Sequence, residues 1–199
     1  VEKAIRESLN KLVGELTKAD LERVRQLDLS ANQLTEIPEG LVNLTRLTGL
    51  DLAHNQLTDV KGLEKLTQLW LLHLNGNQLT NVKGLEKLTQ LTVLHLGRNK
   101  LTNVKGLEKL TNLKELGLAH NQLTDLKGLE KLTQLEVLGL DFNKLTDVKG
   151  LENLWLKELG LAHNQLTDVK GLEKLTNLKK LNLLSNKLTD VKGLEKLTN

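Results

Sequence analysis

Residues 47–55 read Leu-Thr-Gly-Leu-Asp-Leu-Ala-His-Asn, and this spacing of leucines closed by an asparagine returns along almost the whole chain. The closing residues are Asn32, Asn55, Asn77, Asn99, Asn121, Asn143, Asn164 and Asn186, separated by 23, 22, 22, 22, 22, 21 and 22 residues. A fixed period of that length marks a solenoid, in which each unit is one coil stacked on the next. Leu50 and Leu52 flank an outward Asp51, the alternation of a short strand, and Leu47 precedes them facing inward. Leu57 and Val60 then turn inward, Gly62 breaks the chain, and Leu63 with Leu66 anchor a tight helical turn before the next strand. A lone unit cannot offset its conformational entropy, so only neighbours that share the burial make it stable.

The recurring asparagine stands where the chain leaves the strand. Its amide donates and accepts at once, so the eight asparagines are expected to form a structural ladder tying coil to coil. Two units are irregular. Ile37-Pro38-Glu39-Gly40-Leu41 has one residue more than Val60-Lys61-Gly62-Leu63, which widens the convex turn. Leu154-Trp155-Leu156 has one residue fewer than its neighbours, and Trp155 is expected to cover a local packing defect on the flank.

Ile5, Leu9, Leu12, Val13 and Leu16 recur at helical spacing among charged residues, which predicts an amphipathic helix over residues 1–16. Thr17 and Asp20 form a capping-box pair that predicts a second short helix over residues 18–23. Residues 1–24 therefore read as an N-terminal helical cap and residues 25–199 as an array of eight units. No closing helix follows Leu194-Glu-Lys-Leu197-Thr-Asn199 in the sequence given, so no C-terminal cap is expected. The expectation is a fragment of a longer protein, or an end that self-associates with another copy, or an open end tolerated because charges surround it.

Twenty-eight basic residues against 25 acidic ones leave a formal charge of +3, with lysines and glutamates on the same units. Nucleic acid is not the expected partner, because aromatics for base stacking amount to only 2%. No apolar run approaches the roughly 18 to 20 residues of a membrane span, so no membrane partner is expected. The absence of cysteine fits a reducing compartment and leans toward the cytoplasm, with secretion or the cell surface left open. No phosphate-cradling glycine loop, G-x-S-x-G or H-E-x-x-H is present, so neither an enzyme nor a cofactor is expected.

The framework T-D-V-K-G-L-E-K-L-T hardly changes between units, while the outward strand positions do. Between the strand leucines stand Asp28, Asp51, His73, His95, Gly117, Gly139, Gly160 and Asn182; before them stand Gln26, Gly49, Leu71, Val93, Glu115, Val137, Glu158 and Lys180. Parallel strands stack about 4.8 Å apart, so equivalent positions form columns across a sheet. Trp70, Leu71, His73, Val93, His95 and Arg98 then make one patch, extended by Asp141 and Phe142, with the glycines leaving a shallow floor. An apolar patch rimmed by polar groups marks a protein-binding surface, and Trp and Arg are frequent anchors. His73 and His95 fall on adjacent strands, but a metal site needs three or four ligands and none completes it, so no metal is expected. His54, His120 and His163 recur in A-H-N and read as the edge of the framework.

The pattern L-x-x-L-x-L-x-x-N-x-L, in units such as residues 88–109, resembles the bacterial leucine-rich repeats of the internalin type. The resemblance covers Arg25 to Asn199, and the helical cap is also similar. It implies an α/β solenoid, curved and right-handed, with a parallel concave sheet, short 3₁₀ turns on the convex side and protein binding across the concave face. The function expected is a non-enzymatic interaction module; the alternative is a near-consensus or engineered scaffold with no evolved ligand.

Overall fold

The computed structural model describes residues 1–197; Thr198 and Asn199, which end the array in the sequence, lie outside the described residues. Eight strands of three residues each, β1 (Gln26–Asp28), β2 (Gly49–Asp51), β3 (Leu71–His73), β4 (Val93–His95), β5 (Glu115–Gly117), β6 (Val137–Gly139), β7 (Glu158–Gly160) and β8 (Lys180–Asn182), form one parallel sheet in sequence order. The register aligns the central leucines: Leu27, Leu50, Leu72, Leu94, Leu116, Leu138, Leu159 and Leu181 pair in succession. All but Leu181 are buried, and the leucines and valines of successive coils fuse into one continuous aliphatic core. Burying a large aliphatic side chain contributes about 1.5 to 3 kcal/mol, and seven per coil recur here.

Each framework residue has a local job in the turn on the other side. The Asp59 carboxylate accepts from the Lys61 N–H at 2.9 Å. Gly62 then takes φ +103°, a left-handed conformation that side chains disfavour, so that the chain can reverse into the turn. The Gly62 N–H donates to Glu64 Oε2 at 2.7 Å, and Leu63 and Leu66 plug the core beneath. The expected 3₁₀ turns form at Glu39–Asn43, Leu63–Lys65, Leu85–Lys87, Leu172–Lys174 and Leu194–Lys196. In the intervening coils, residues 107–109, 129–131 and 151–153 are plain turns that keep equivalent bonds such as Leu110 N–H to Leu107 O at 2.9 Å. The turn after Pro38 spans five residues where the others span three, in keeping with its extra residue.

In the seventh coil Leu154 and Leu156 are both buried and close the core themselves. Trp155 is 61% exposed, so it stands in solvent instead of covering a defect. With one residue deleted between the two leucines, both can still face inward, and the residue left between them is forced out.

At the N-terminus the helix is shorter than its apolar spacing suggests. α1 covers Glu2–Ser8 and stops in a Schellman motif: Asn10 takes φ +51°, its N–H bonds Glu7 O at 3.1 Å, and the Lys11 N–H bonds Arg6 O at 2.9 Å. Leu12 and Val13 are consequently exposed at 71% and 82%. Ile5 is buried against β1, with Ala4 and Leu9 partly covered, and this is how the helix shields the first coil. α2 (Lys18–Leu21) is two residues shorter than expected and opens with the capping box in place.

Asp20 is the hub of this cap. Its carboxylate takes Lys11 Nζ at 2.6 Å, the Thr17 N–H at 2.9 Å and the Thr17 hydroxyl at 2.8 Å. These bonds, led by that from Lys11, hold its pKa well below the usual carboxylate range. A depressed folded pKa contributes stability that is complete above the unfolded value of about 3.9 and fades as pH falls through the folded one. Asp20→Asn should therefore destabilise the protein near neutral pH, with the difference from the parent shrinking in strong acid. Urea unfolding of both proteins across the acid range measures it; a constant difference down to the lowest pH would remove Asp20 from this role.

Candidate binding face

The outward positions of the eight strands form the columns that the repeat spacing demands. Leu71 pairs with Val93, and His73 with His95, across β3 and β4. The two imidazoles stack with centroids 4.7 Å apart and planes 4° from parallel. Each is held from outside the pair: His73 Nδ1 lies 3.2 Å from Asp51 Oδ2, and His95 Nε2 lies 2.8 Å from Glu115 Oε1. A row of carboxylate, two imidazoles and carboxylate thus crosses β2 to β5. Parallel rings point their in-plane lone pairs side by side and do not converge on a shared ion. Among the described residues no group of three or more His, Cys, Asp or Glu gathers with metal-binding geometry.

Trp70 stands just before β3 in the column of Thr48, Thr92 and Lys114; it is 44% exposed, and its carbonyl accepts from the Thr92 and Val93 N–H groups. Leu71, His73, Val93 and His95 are half-buried beside it. Arg98 is not in those columns. It lies past the exit of β4, where the residues Ala31, His54, Gly76, Arg98, His120, Phe142, His163 and Ser185 all have φ between 53° and 69°. This left-handed position recurs one residue before each ladder asparagine and makes a rail along the margin of the sheet.

Phe142 sits in that rail, sandwiched between His120 and His163 with ring centroids 4.1 Å away on both sides. Its ring faces are therefore covered by imidazoles, and it presents its edge, 43% exposed. The two histidines are partners in the arrangement that the A-H-N pattern alone assigned to framework. Asp141 lies next to Phe142 on the sheet side. Elsewhere Asp28, Asp51 and Asn182 accept from the N–H two residues on, at Ser30, Ala53 and Leu184. β7 has Gly160 at the equivalent place, and Asp141 reaches across from the neighbouring coil to bond the Ala162 N–H at 2.9 Å. Its other oxygen packs over Gly160. Of the eight residues singled out from the sequence, Trp70, Leu71, His73, Val93 and His95 thus cluster on β3 and β4. Arg98 marks their rim, and Asp141 with Phe142 forms a second group two strands away.

The asparagines lie beneath this margin. Asn99 Nδ2 donates to Leu74 O and Leu96 O, both at 3.0 Å, and its Oδ1 accepts from the Leu79 N–H at 3.0 Å. The same three bonds recur at Asn77, Asn121, Asn143, Asn164 and Asn186. Asn55 adds a second acceptance, from the Asn32 and Leu34 N–H groups. Asn32 itself is exposed and bonds only Ser30 O through its side chain; with no coil before it, that rung has nothing to bridge.

The repeats and their geometry agree with what comparison finds. A model of leucine-rich repeats in two copies matches residues 67–109, 111–153 and 155–196, and a further leucine-rich-repeat model matches residues 20–79. A search of curated proteins gives no match. Among solved structures, internalin C2 of Listeria monocytogenes is similar with a TM-score of 0.94 at 34% identity, over 99% of this chain and 88% of that one. Internalin F of the same organism is similar with a TM-score of 0.81 at 31% identity, over 91% and 61% of the two chains. A leucine-rich-repeat protein of Leptospira interrogans gives 0.66 at 29% identity, over 90% and 60%. Proteins of this fold are generally protein-interaction modules and typically non-enzymatic. An eight-stranded parallel sheet, an asparagine at each strand exit and a helix packed on the first strand make this chain a member of the leucine-rich-repeat family, of the bacterial internalin-like kind.

Proposed function

We propose that the chain binds a protein partner across its concave sheet, with Trp70, Leu71, His73, Val93, His95 and Arg98 as the principal contact and Asp141 with Phe142 as a second one. The observation that carries this reading is the register. Residues that vary from coil to coil stack in columns on one face, while the aspartate, glycine and glutamate that hardly change have bonds to make in the turns. A constant framework follows from those bonds and leaves the outward columns free to be shaped by a ligand. Half-exposed Trp70 and Phe142, next to charged and imidazole groups, have the make-up of binding anchors.

The test is affinity capture from cells of a candidate host, with the parent beside Trp70→Ala/His95→Ala/Phe142→Ala. All three side chains are partly exposed, so the variant should keep its unfolding midpoint while losing tenfold or more in affinity, as expected when about 2 kcal/mol of anchor contacts is removed. Capture of the same proteins at undiminished strength by the triple variant would place the interface elsewhere.

A further inference from the structure

The charge of this chain is sorted along its length. Residues 78–114 carry Lys83, Lys87, Arg98, Lys100, Lys105, Lys109 and Lys114 against only Glu86 and Glu108. That surplus of five exceeds the net +3 of the whole chain. Residues 115–141, which follow, reverse the balance, with Lys127 and Lys131 against Glu115, Asp125, Glu130, Glu136 and Asp141.

The cause is a pair of substitutions within the repeat. Where the other coils have an acidic residue before the turn, Glu36 in the first and aspartate in the rest, these two have Asn81 and Asn103. The turn is unchanged: Asn81 Oδ1 accepts from the Lys83 N–H at 3.1 Å and Asn103 Oδ1 from the Lys105 N–H at 3.2 Å, as Asp125 does from Lys127 at 3.0 Å. The hydrogen bond is kept and the negative charge is gone. The two glutamates that remain are turned onto the backbone, Glu86 to the Gly84 N–H at 2.6 Å and Glu108 to the Gly106 N–H at 2.8 Å. All seven basic side chains are exposed, and among the described residues none of them is in a salt bridge.

We propose that this basic band binds a flexible linear polymer of phosphate groups, through charge alone, chiefly by the turn lysines Lys83, Lys87, Lys105 and Lys109, which take no part in the concave-face contact. A single exposed ion pair is worth about 1 kcal/mol in water, too little to hold a lone phosphate. A polymer that meets several ammonium groups at once gains by multivalency and by release of its counterions. Six of the seven cations are lysines, which bind phosphate as point charges and need no planar fork. Residues 78–114 contain no Trp, Tyr or Phe, so bases would find nothing to stack on. Large hydrophobic side chains that could enter a bilayer are not exposed there either. The basic groups also run from the convex turn, at Lys83, Lys87, Lys105 and Lys109, round to the strand exit at Arg98 and Lys100. A bendable chain can follow that path, and a flat membrane cannot.

The probe is long-chain inorganic polyphosphate, titrated against the whole protein at several salt concentrations. The comparison is Lys83→Gln/Lys87→Gln/Lys105→Gln/Lys109→Gln, with Lys127→Gln/Lys131→Gln as the control in the acidic coil. The parent should bind with an affinity that falls steeply with salt. The quadruple variant should show a salt slope smaller by roughly 3, at about 0.7 for each lost phosphate contact, and the control pair should behave as the parent. Unfolding midpoints of all three should agree, since exposed lysines support none of the packing. No binding at low salt, or binding that the four substitutions leave unchanged, overturns the proposal. Stronger binding of heparin, of a single-stranded oligonucleotide or of anionic vesicles through the same lysines overturns it in favour of that partner. The triple variant of the concave face should bind polyphosphate normally, so the two surfaces stand or fall separately.

Discussion

Asn99→Ala is expected to lower the free energy of unfolding by about 3 kcal/mol, the upper end of the range for buried groups left without partners. The residue is 8% exposed, and its side chain serves backbone groups from two coils: Leu74 O, Leu96 O and the Leu79 N–H at 3.0 Å each, with Gly97 O at 3.3 Å. Alanine has no polar atom to offer them, and the groups lie beneath a residue that is itself buried. Lys100→Ala, one residue on, removes only an exposed bond to Gln78 Oε1 and should cost no more than about 0.5 kcal/mol. Urea unfolding followed by circular dichroism separates the two cases. Equal midpoints would mean that the asparagines are interchangeable with any polar residue at the strand exit.

Leu94→Ala should cost more, about 2 to 5 kcal/mol, because Leu94 is wholly buried between the leucines of β3 and β5 and its removal leaves a cavity in a close-packed interior. The same substitution at Leu181 on β8 should cost on the order of 1 kcal/mol, since that side chain is only half-buried. Position along the array adds a second difference. Stability in a repeat protein is close to a sum of coil and neighbour terms, so weakening a middle coil uncouples the two halves, whereas weakening the last one frays an end. Leu94→Ala should broaden the denaturation curve or split it, and Leu181→Ala should leave its shape unchanged. A uniform, equal loss at the two sites would show that burial is not what holds the coils.

Much of this was legible in the sequence because the repeat spacing fixes the register: once the leucines align, every other position falls into a column. The pairing of His73 with His95 follows from that alone, as does the place of each asparagine. What did not follow were features that depend on local backbone conformation or on reach. The margin position takes φ near 55° in coil after coil, and this conformation aligns His120, Phe142 and His163 face to face. The signal was present, since the three residues are equivalent by spacing, but composition suggested framework for two of them and a lone anchor for the third. The repeat spacing assigns Asp141 to an extension of the patch; that it crosses to Ala162 follows from the empty place at Gly160, which becomes apparent only when neighbouring strands are compared pairwise. α1 ends early because Asn10 provides a left-handed stop that outweighs the apolar spacing of Leu12 and Val13.

The asparagine bonds between coils all run one way. From Asn55 to Asn186 each side chain reaches back to the preceding coil, accepting from its backbone and donating to it, and never forward. The array therefore has a direction, and a coil is completed by the one made after it. As the chain emerges during synthesis, closure trails the newest residue by one period: Leu79 waits for Asn99, and Leu101 for Asn121.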